Sequence, residues 1–233
     1  MLWILSLSWL AGLSILAGAL VSSNVVLRDA CLRLKLDRFV SYFGSGALLA
    51  ALALVLIPRG IEQLSVLAVT ASFGLGALVF WKFSVWTSRT NNQISRFVSM
   101  LLDFLPEVIL LGALAASGSN AVYLLAGLIA LQNMPQGFTA FTEMERNMRS
   151  HTCLLIIFFT VSLLGPLGAW LGLAWLSTSD SLLALVLLFC SGGILYLLFQ
   201  DIAPRVHDED DTFSAIGAIC GFLVGLVGTM LIH

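Results

Sequence analysis

Apolar residues run in eight long blocks along this chain, and most charged residues fall in the gaps between them. The blocks lie near 2–22, 39–57, 64–81, 97–117, 121–142, 152–176, 181–203 and 213–232. Each is about 18 to 24 residues long, enough for a helix to cross the ~30 Å hydrocarbon core of a bilayer. The weakest break separates the fourth block from the fifth; it rests on Ser117-Gly118-Ser119-Asn120, a good turn sequence. The first 27 residues carry no charge. A signal peptide has a basic start and a shorter apolar core, so this stretch reads as an uncleaved first span. The pattern predicts an all-α polytopic membrane protein, a single domain over 1–233 with eight transmembrane helices in the lipid bilayer.

Composition points the same way. The chain has 233 residues, of which 59% are hydrophobic and 10% charged, and its mean hydropathy is +1.01. One packed soluble core does not need apolar residues on every face. The net charge of −2 therefore says little about partners. No nucleic-acid, lipidation or nucleotide-binding motif is visible, and no nucleic-acid partner is expected.

The basic residues set an orientation. Arg28, Arg33, Lys35 and Arg38 follow the first block, and Lys82, Arg89 and Arg96 the third. Arg146 and Arg149 follow the fifth and Arg205 the seventh, so of the 11 basic residues only Arg59 lies opposite. The positive-inside rule then places both termini outside the cytoplasm, in a plasma (inner) membrane. The loops 23–38 and 82–96 read as topology anchors, and the acidic run Asp208-Glu209-Asp210-Asp211 beside His207 as a solvated loop.

Two of the blocks carry one polar pattern. Asp103-Phe104-Leu105-Pro106-Glu107 and Gln132-Asn133-Met134-Pro135-Gln136-Gly137 both read polar, two spacers, proline, polar. Charges within a membrane helix are costly and commonly mark a substrate path. Asp103 and Glu107 are four residues apart, hence on one helix face. Two such carboxylates repel each other in a low dielectric, so a cation bridges them or one holds a proton. A mid-helix proline also frees a carbonyl four residues back, Leu102 for Pro106 and Leu131 for Pro135. Hard cations favour such oxygen cages. The spacing nominates Asp103 and Glu107 as charged metal ligands, with Gln132, Asn133 and Gln136 as neutral ones. Asp201 is a further candidate acid, while Glu62 and Glu143 lie at block ends and read as solvated.

The cysteines Cys31, Cys153, Cys190 and Cys220 are scattered and read as small packing residues. The histidines His151, His207 and His233 sit at block ends or in loops. With His and Cys expected to be missing from the interior chemistry and no nucleophile–base pair visible, an enzyme is not expected, nor a cofactor.

At this point the chain resembles the ZIP (zinc/iron permease-like) family of metal transporters. Gly44-Ser45-Gly46-Ala47-Leu48-Leu49 through Pro58 is similar to the family's second span, GAGVLLATAFLHLLPEA. Leu131 to Gly137 resembles the fifth-span HNxPEG motif, and Gly165-Pro166-Leu167-Gly168-Ala169 the sixth-span EPLGA. Ser191-Gly192-Gly193-Ile194-Leu195-Tyr196 through Pro204 resembles AGAFLY…PE of the seventh. The resemblance implies kinked fourth and fifth helices at the centre and a divalent cation carried towards the cytoplasm between them.

The ligands depart from that pattern. Asp103 stands for His and Phe104 for Asn; Gln132 stands for His, and Gln136 and Gly165 replace acids. An all-oxygen set suits Mg, Mn or Ca better than zinc. The alternative reading is a non-transporting ZIP-like interaction or regulatory membrane protein that has lost its metal ligands. A third is proton-linked transport of another solute. A homodimer is kept open as the assembly.

Overall fold

A computed structural model describes residues 2–24, 30–90, 95–116, 118, 121–145, 150–176, 179–202 and 214–232. Several features singled out above lie outside the described residues: Arg28, Arg146, Arg149, Pro204, Arg205, His207 and the acidic run 208–211. The same holds for the side chains of Cys31, Arg33, Lys35, Arg89, Arg96 and Asp201.

All regular structure among the described residues is helical. The elements are α1 (Leu2–Asn24), α2 (Ala30–Ala51), α3 (Ile57–Ile61), α4 (Val66–Thr90), α5 (Ser95–Ala116), α6 (Ala121–Glu145), α7 (His151–Ser162), α8 (Leu164–Trp175), α9 (Asp180–Ile202) and α10 (Ser214–Ile232). Among the described residues six stretches are long and apolar enough to cross a membrane: Leu2–Ser23, Arg38–Ile61, Val66–Trp86, Phe97–Ala116, His151–Trp175 and Asp180–Gln200. The apolar part of α10, Ala215–Leu231, is shorter. The chain is thus an all-helical bundle of membrane character. Apolar residues on every face leave many large side chains on the outside, where lipid rather than water suits them, as on α4 and α10.

Prolines explain two local departures from the expected blocks. The second block was expected to end near 57, yet helix continues to Ile61 through a π-helical turn, Leu52–Leu56. There the Ile57 N–H donates to the Leu52 carbonyl. Pro58 follows with no N–H to give, and a wider turn moves its ring off the carbonyl it would strike. The sixth block breaks into α7 and α8 at Leu163, whose N–H turns back to the Thr160 carbonyl at 3.2 Å. Pro166, within the first turn of α8, has no N–H for the Ser162 carbonyl. The turn expected between the fourth and fifth blocks is present: Gly118 has φ 66° and closes it by donating to the Ala115 carbonyl at 3.3 Å.

The helices form two groups. In one, α1 packs on α6, α5 on α8, and α5 on α6; in the other, α2 packs on α10 and α4 on α9. The groups meet mainly where α2 crosses α6. Within each group helices approach backbone to backbone at glycines, as membrane helices do. A Cβ on Gly137 would lie 2.2 Å from the Ile15 carbonyl oxygen, and one on Gly112 2.0 Å from that of Ala169. In the second group Gly46 would meet Ala218 at 1.9 Å and Gly192 would meet Phe73 at 2.0 Å.

These contacts come in matched pairs. What α1 does to α6, α8 does to α5; what α2 does to α10, α9 does to α4. Gly12 of α1 meets the Ser162 carbonyl while Gly165 of α8 meets that of Ser8, so α1 and the α7–α8 segment run antiparallel. The reciprocal pairing is what an inverted internal repeat flanking α5 and α6 would give. The sequence carries the signal: Phe43-x-Ser45-Gly46 precedes Pro58-Arg59 by the spacing at which Phe189-x-Ser191-Gly192 precedes Pro204-Arg205.

Polar side chains join helices within a group. Thr142 donates to the Phe138 carbonyl at 2.9 Å, so the 2.8 Å contact between Ser22 and Thr142 has Ser22 as donor. Tyr196 donates to Gln200, which donates to Ser84 at 2.7 Å, tying α9 to α4. Ser22→Ala is expected to lower stability by about 0.6 kcal/mol, as interhelical hydrogen bonds in membranes do; denaturant titration of the detergent-solubilised protein measures it.

Candidate metal centre

The Gly118 turn makes α5 and α6 antiparallel neighbours. Stepping one turn along α5, from Asp103 to Glu107, then matches stepping one turn back along α6, from Gln136 to Gln132. Two rungs result. Gln132 Nε2 donates to Glu107 Oε1, and Gln136 Nε2 donates to Asp103 Oδ2 at 3.2 Å. The repeated polar-x-x-Pro-polar pattern therefore pairs end to start, each carboxylate facing an amide.

The rungs sit in the middle of the bundle. Glu107, Gln132 and Asn133 are 0% exposed and Asp103 is 5% exposed. No Lys, Arg or His is buried among the described residues. A carboxylate only accepts hydrogen bonds, so each amide must turn its nitrogen to it and its oxygen away. As a result Gln132 Oε1 and Gln136 Oε1 are buried without a hydrogen-bond partner, as is the second carboxylate oxygen of the inner rung, Glu107 Oε2. Every one is an oxygen. Unpaired polar atoms in an apolar interior are costly, and such a set has the chemistry of a cation site.

Of the five nominated residues, Asp103, Glu107, Gln132 and Gln136 come together on the rungs. Asn133 points elsewhere: one position along α6 is a different face, and its Nδ2 donates to the Ala11 carbonyl of α1 at 3.4 Å. Phe104 is fully buried, its ring tip 3.2 Å from where a Gly12 Cβ would stand and 3.5 Å from that of Gly165. It fills the junction of α1 and α8, so its role is packing. Pro135 lies 3.0 Å from a Cβ built on Gly44, which is how α2 comes close to the α6 rungs. Both α5 and α6 remain helical through Pro106 and Pro135.

Two expectations need correcting. The interior does hold a cysteine: Cys190 of α9 is buried, in the neighbourhood of Glu107. Its neighbourhood depends on which helix packs on α5, a tertiary fact no cysteine spacing reveals. Glu143, expected to be solvated, is half-buried with Oε2 out of solvent. It continues the face of α6 that carries Gln132, Gln136 and Thr139.

On the other side of the rungs the lining is apolar. Leu110, Leu111, Leu114, Leu125 and Leu128 are all buried. Among the described residues, no three His, Cys, Asp or Glu side chains gather closely enough to hold a metal by themselves. Any ion at this place takes amide oxygens as well as the two carboxylates. No model of a known protein family matches the chain, and no curated protein matches it.

Proposed function

We propose that the chain carries a divalent cation across a membrane as a ZIP-like transporter of eight spans. Both termini lie outside the cytoplasm, and transport runs inwards. One observation carries this reading: two amide–carboxylate rungs, buried at the centre, whose unsatisfied atoms are all oxygens. Two carboxylates neutralise one doubly charged ion, which removes most of the cost of holding charge in hydrocarbon.

Glu107 and Asp103 supply the charge. Gln132 and Gln136 hold the carboxylates through their N–H groups, and rotation of each amide about its last side-chain bond would turn an oxygen inwards instead. Asn133 braces α6 on α1. The polar face continuing through Thr139 towards Glu143 supports release towards the end of α6. The leucines beyond Glu107 support a seal on the opposite side. Alternating access follows if the group with α5 and α6 shifts against the group with α2 and α9.

Hard oxygen donors favour Mn, Mg or Ca over zinc. Flux into proteoliposomes, measured with Mn, Fe, Zn, Co and Mg, is expected to favour Mn or Mg over Zn. Correctly folded protein that moves none of them refutes the reading. The second reading, a non-transporting interaction protein, draws on the small count of acids at the rungs. It expects a cellular phenotype untouched by joint replacement of Asp103 by Asn and Glu107 by Gln.

A further inference from the structure

A cleft of about 190 Å³ opens between α3, the C-terminal end of α5 and the start of α9. Arg59, Glu62, Gln63 and Asp180 line it together with an apolar part that includes Leu114 and Leu187. Its position is informative. Leu114 stands seven residues beyond Glu107 on α5, about 10 Å at the helical rise. Leu187 lies one turn from Cys190 on α9, the helix that packs against α5 on this side. The cleft therefore lies in line with the rungs, separated from them by leucines.

The backbone at Arg59 is set by its neighbours. It follows the π-helical turn and Pro58, and the next residue, Gly60, is buried against Leu188 of α9, 2.6 Å from where its Cβ would be. In the eight-span reading it is the one basic residue at this end of the bundle. A single guanidinium here works against the two acids, Glu62 and Asp180, for control of the local potential. In a narrow space with low-dielectric walls one such charge matters far more than it would on an open surface.

We propose that this cleft is the antechamber through which the cation reaches Glu107 from the non-cytoplasmic side, and that Arg59 sets its electrostatic threshold. The inference rests on the transport reading, and its test separates the two. In protein whose native cysteines are replaced by Ser or Ala, Leu183→Cys in the cleft wall is treated from outside with impermeant methanethiosulfonate reagents, one cationic and one anionic. Gln63→Cys, at the exposed rim of the cleft, serves as a second reporter should the first disturb folding.

Both reagents are expected to react. Arg59→Gln is expected to raise the cationic-to-anionic rate ratio about tenfold, as removal of one nearby charge does at intermediate dielectric, while Arg59→Lys leaves it near the parent value. In liposomes Arg59→Gln lowers the KM for Mn several-fold with little change in maximal flux. If neither cysteine reacts from outside, or the ratio stays unchanged in an active protein, the inference is overturned. A shifted ratio in parent protein that carries no metal overturns the transport reading and leaves the charge filter standing.

Discussion

Glu107→Gln is expected to abolish cation transport without unfolding the protein. The carboxylate is wholly buried and its Oε1 already accepts from Gln132. Glutamine keeps the shape, and an amide–amide rung can replace the amide–carboxylate one. Removing a buried acid also removes a desolvation cost, so thermal stability should hold or rise. The cation, by contrast, loses one of two charged ligands in a low-dielectric site. At about 3 kcal/mol for such a contact the loss is roughly a hundredfold in affinity.

Asp103→Asn should act in the same direction but less, about tenfold, because Asp103 keeps some exposure and its rung is the less buried of the two. Flux and thermal unfolding measured on the same preparations decide the matter. Full transport in Glu107→Gln would show that the rungs are structural polar glue. Lost transport together with lost folding would show that Glu107 is needed for the bundle rather than for an ion.

The second large effect lies in the packing of α4 on α9. Gly76→Ala is expected to destabilise the bundle by about 3 kcal/mol or more, since overpacking against backbone leaves no rotamer to relieve it. A Cβ at Gly76 would stand 1.8 Å from the Phe189 carbonyl oxygen and 2.7 Å from its carbon, so the two helices must separate. That shift also opens the close approach of Gly192 to Phe73 and stretches the Ser72 hydrogen bond to the Leu185 carbonyl, 2.7 Å long.

Gly74 gives the internal control. It is two residues away on the same helix, and nothing lies within 4 Å of its Cβ position. Gly74→Ala should therefore be neutral or stabilise by up to about 1 kcal/mol through helix propensity alone. Chemical denaturation of both variants beside the parent protein separates the two cases. Equal stability of Gly76→Ala and Gly74→Ala would mean that α4 and α9 do not approach as closely as described.

The sequence alone determined where helix forms, because a run of apolar residues longer than a bilayer core leaves the backbone no partner but itself. It determined the Gly118 turn, for a positive φ is cheap only at glycine. It also picked out Asp103, Glu107, Gln132 and Gln136, since four-residue spacing fixes a shared face whatever the rest of the fold does. The inverted repeat was present in the spacing of Phe43 to Pro58 and Phe189 to Pro204, but two short matches carry weight only once the helices are seen to pack reciprocally.

Tertiary structure decided which amide faces which acid, because the register of an antiparallel pair depends on the length of the turn and on how each helix is seated by its other neighbour, α5 on α8 at Gly112 and α6 on α1 at Gly137. It turned Asn133 to α1, one helical step away from the rungs. It brought Cys190 near Glu107 and Arg59 over a cleft beside Asp180. Proximity between distant residues follows from how rods are arranged around one another, and apolarity on all faces of each rod leaves that arrangement unwritten in the periodicity of any single one.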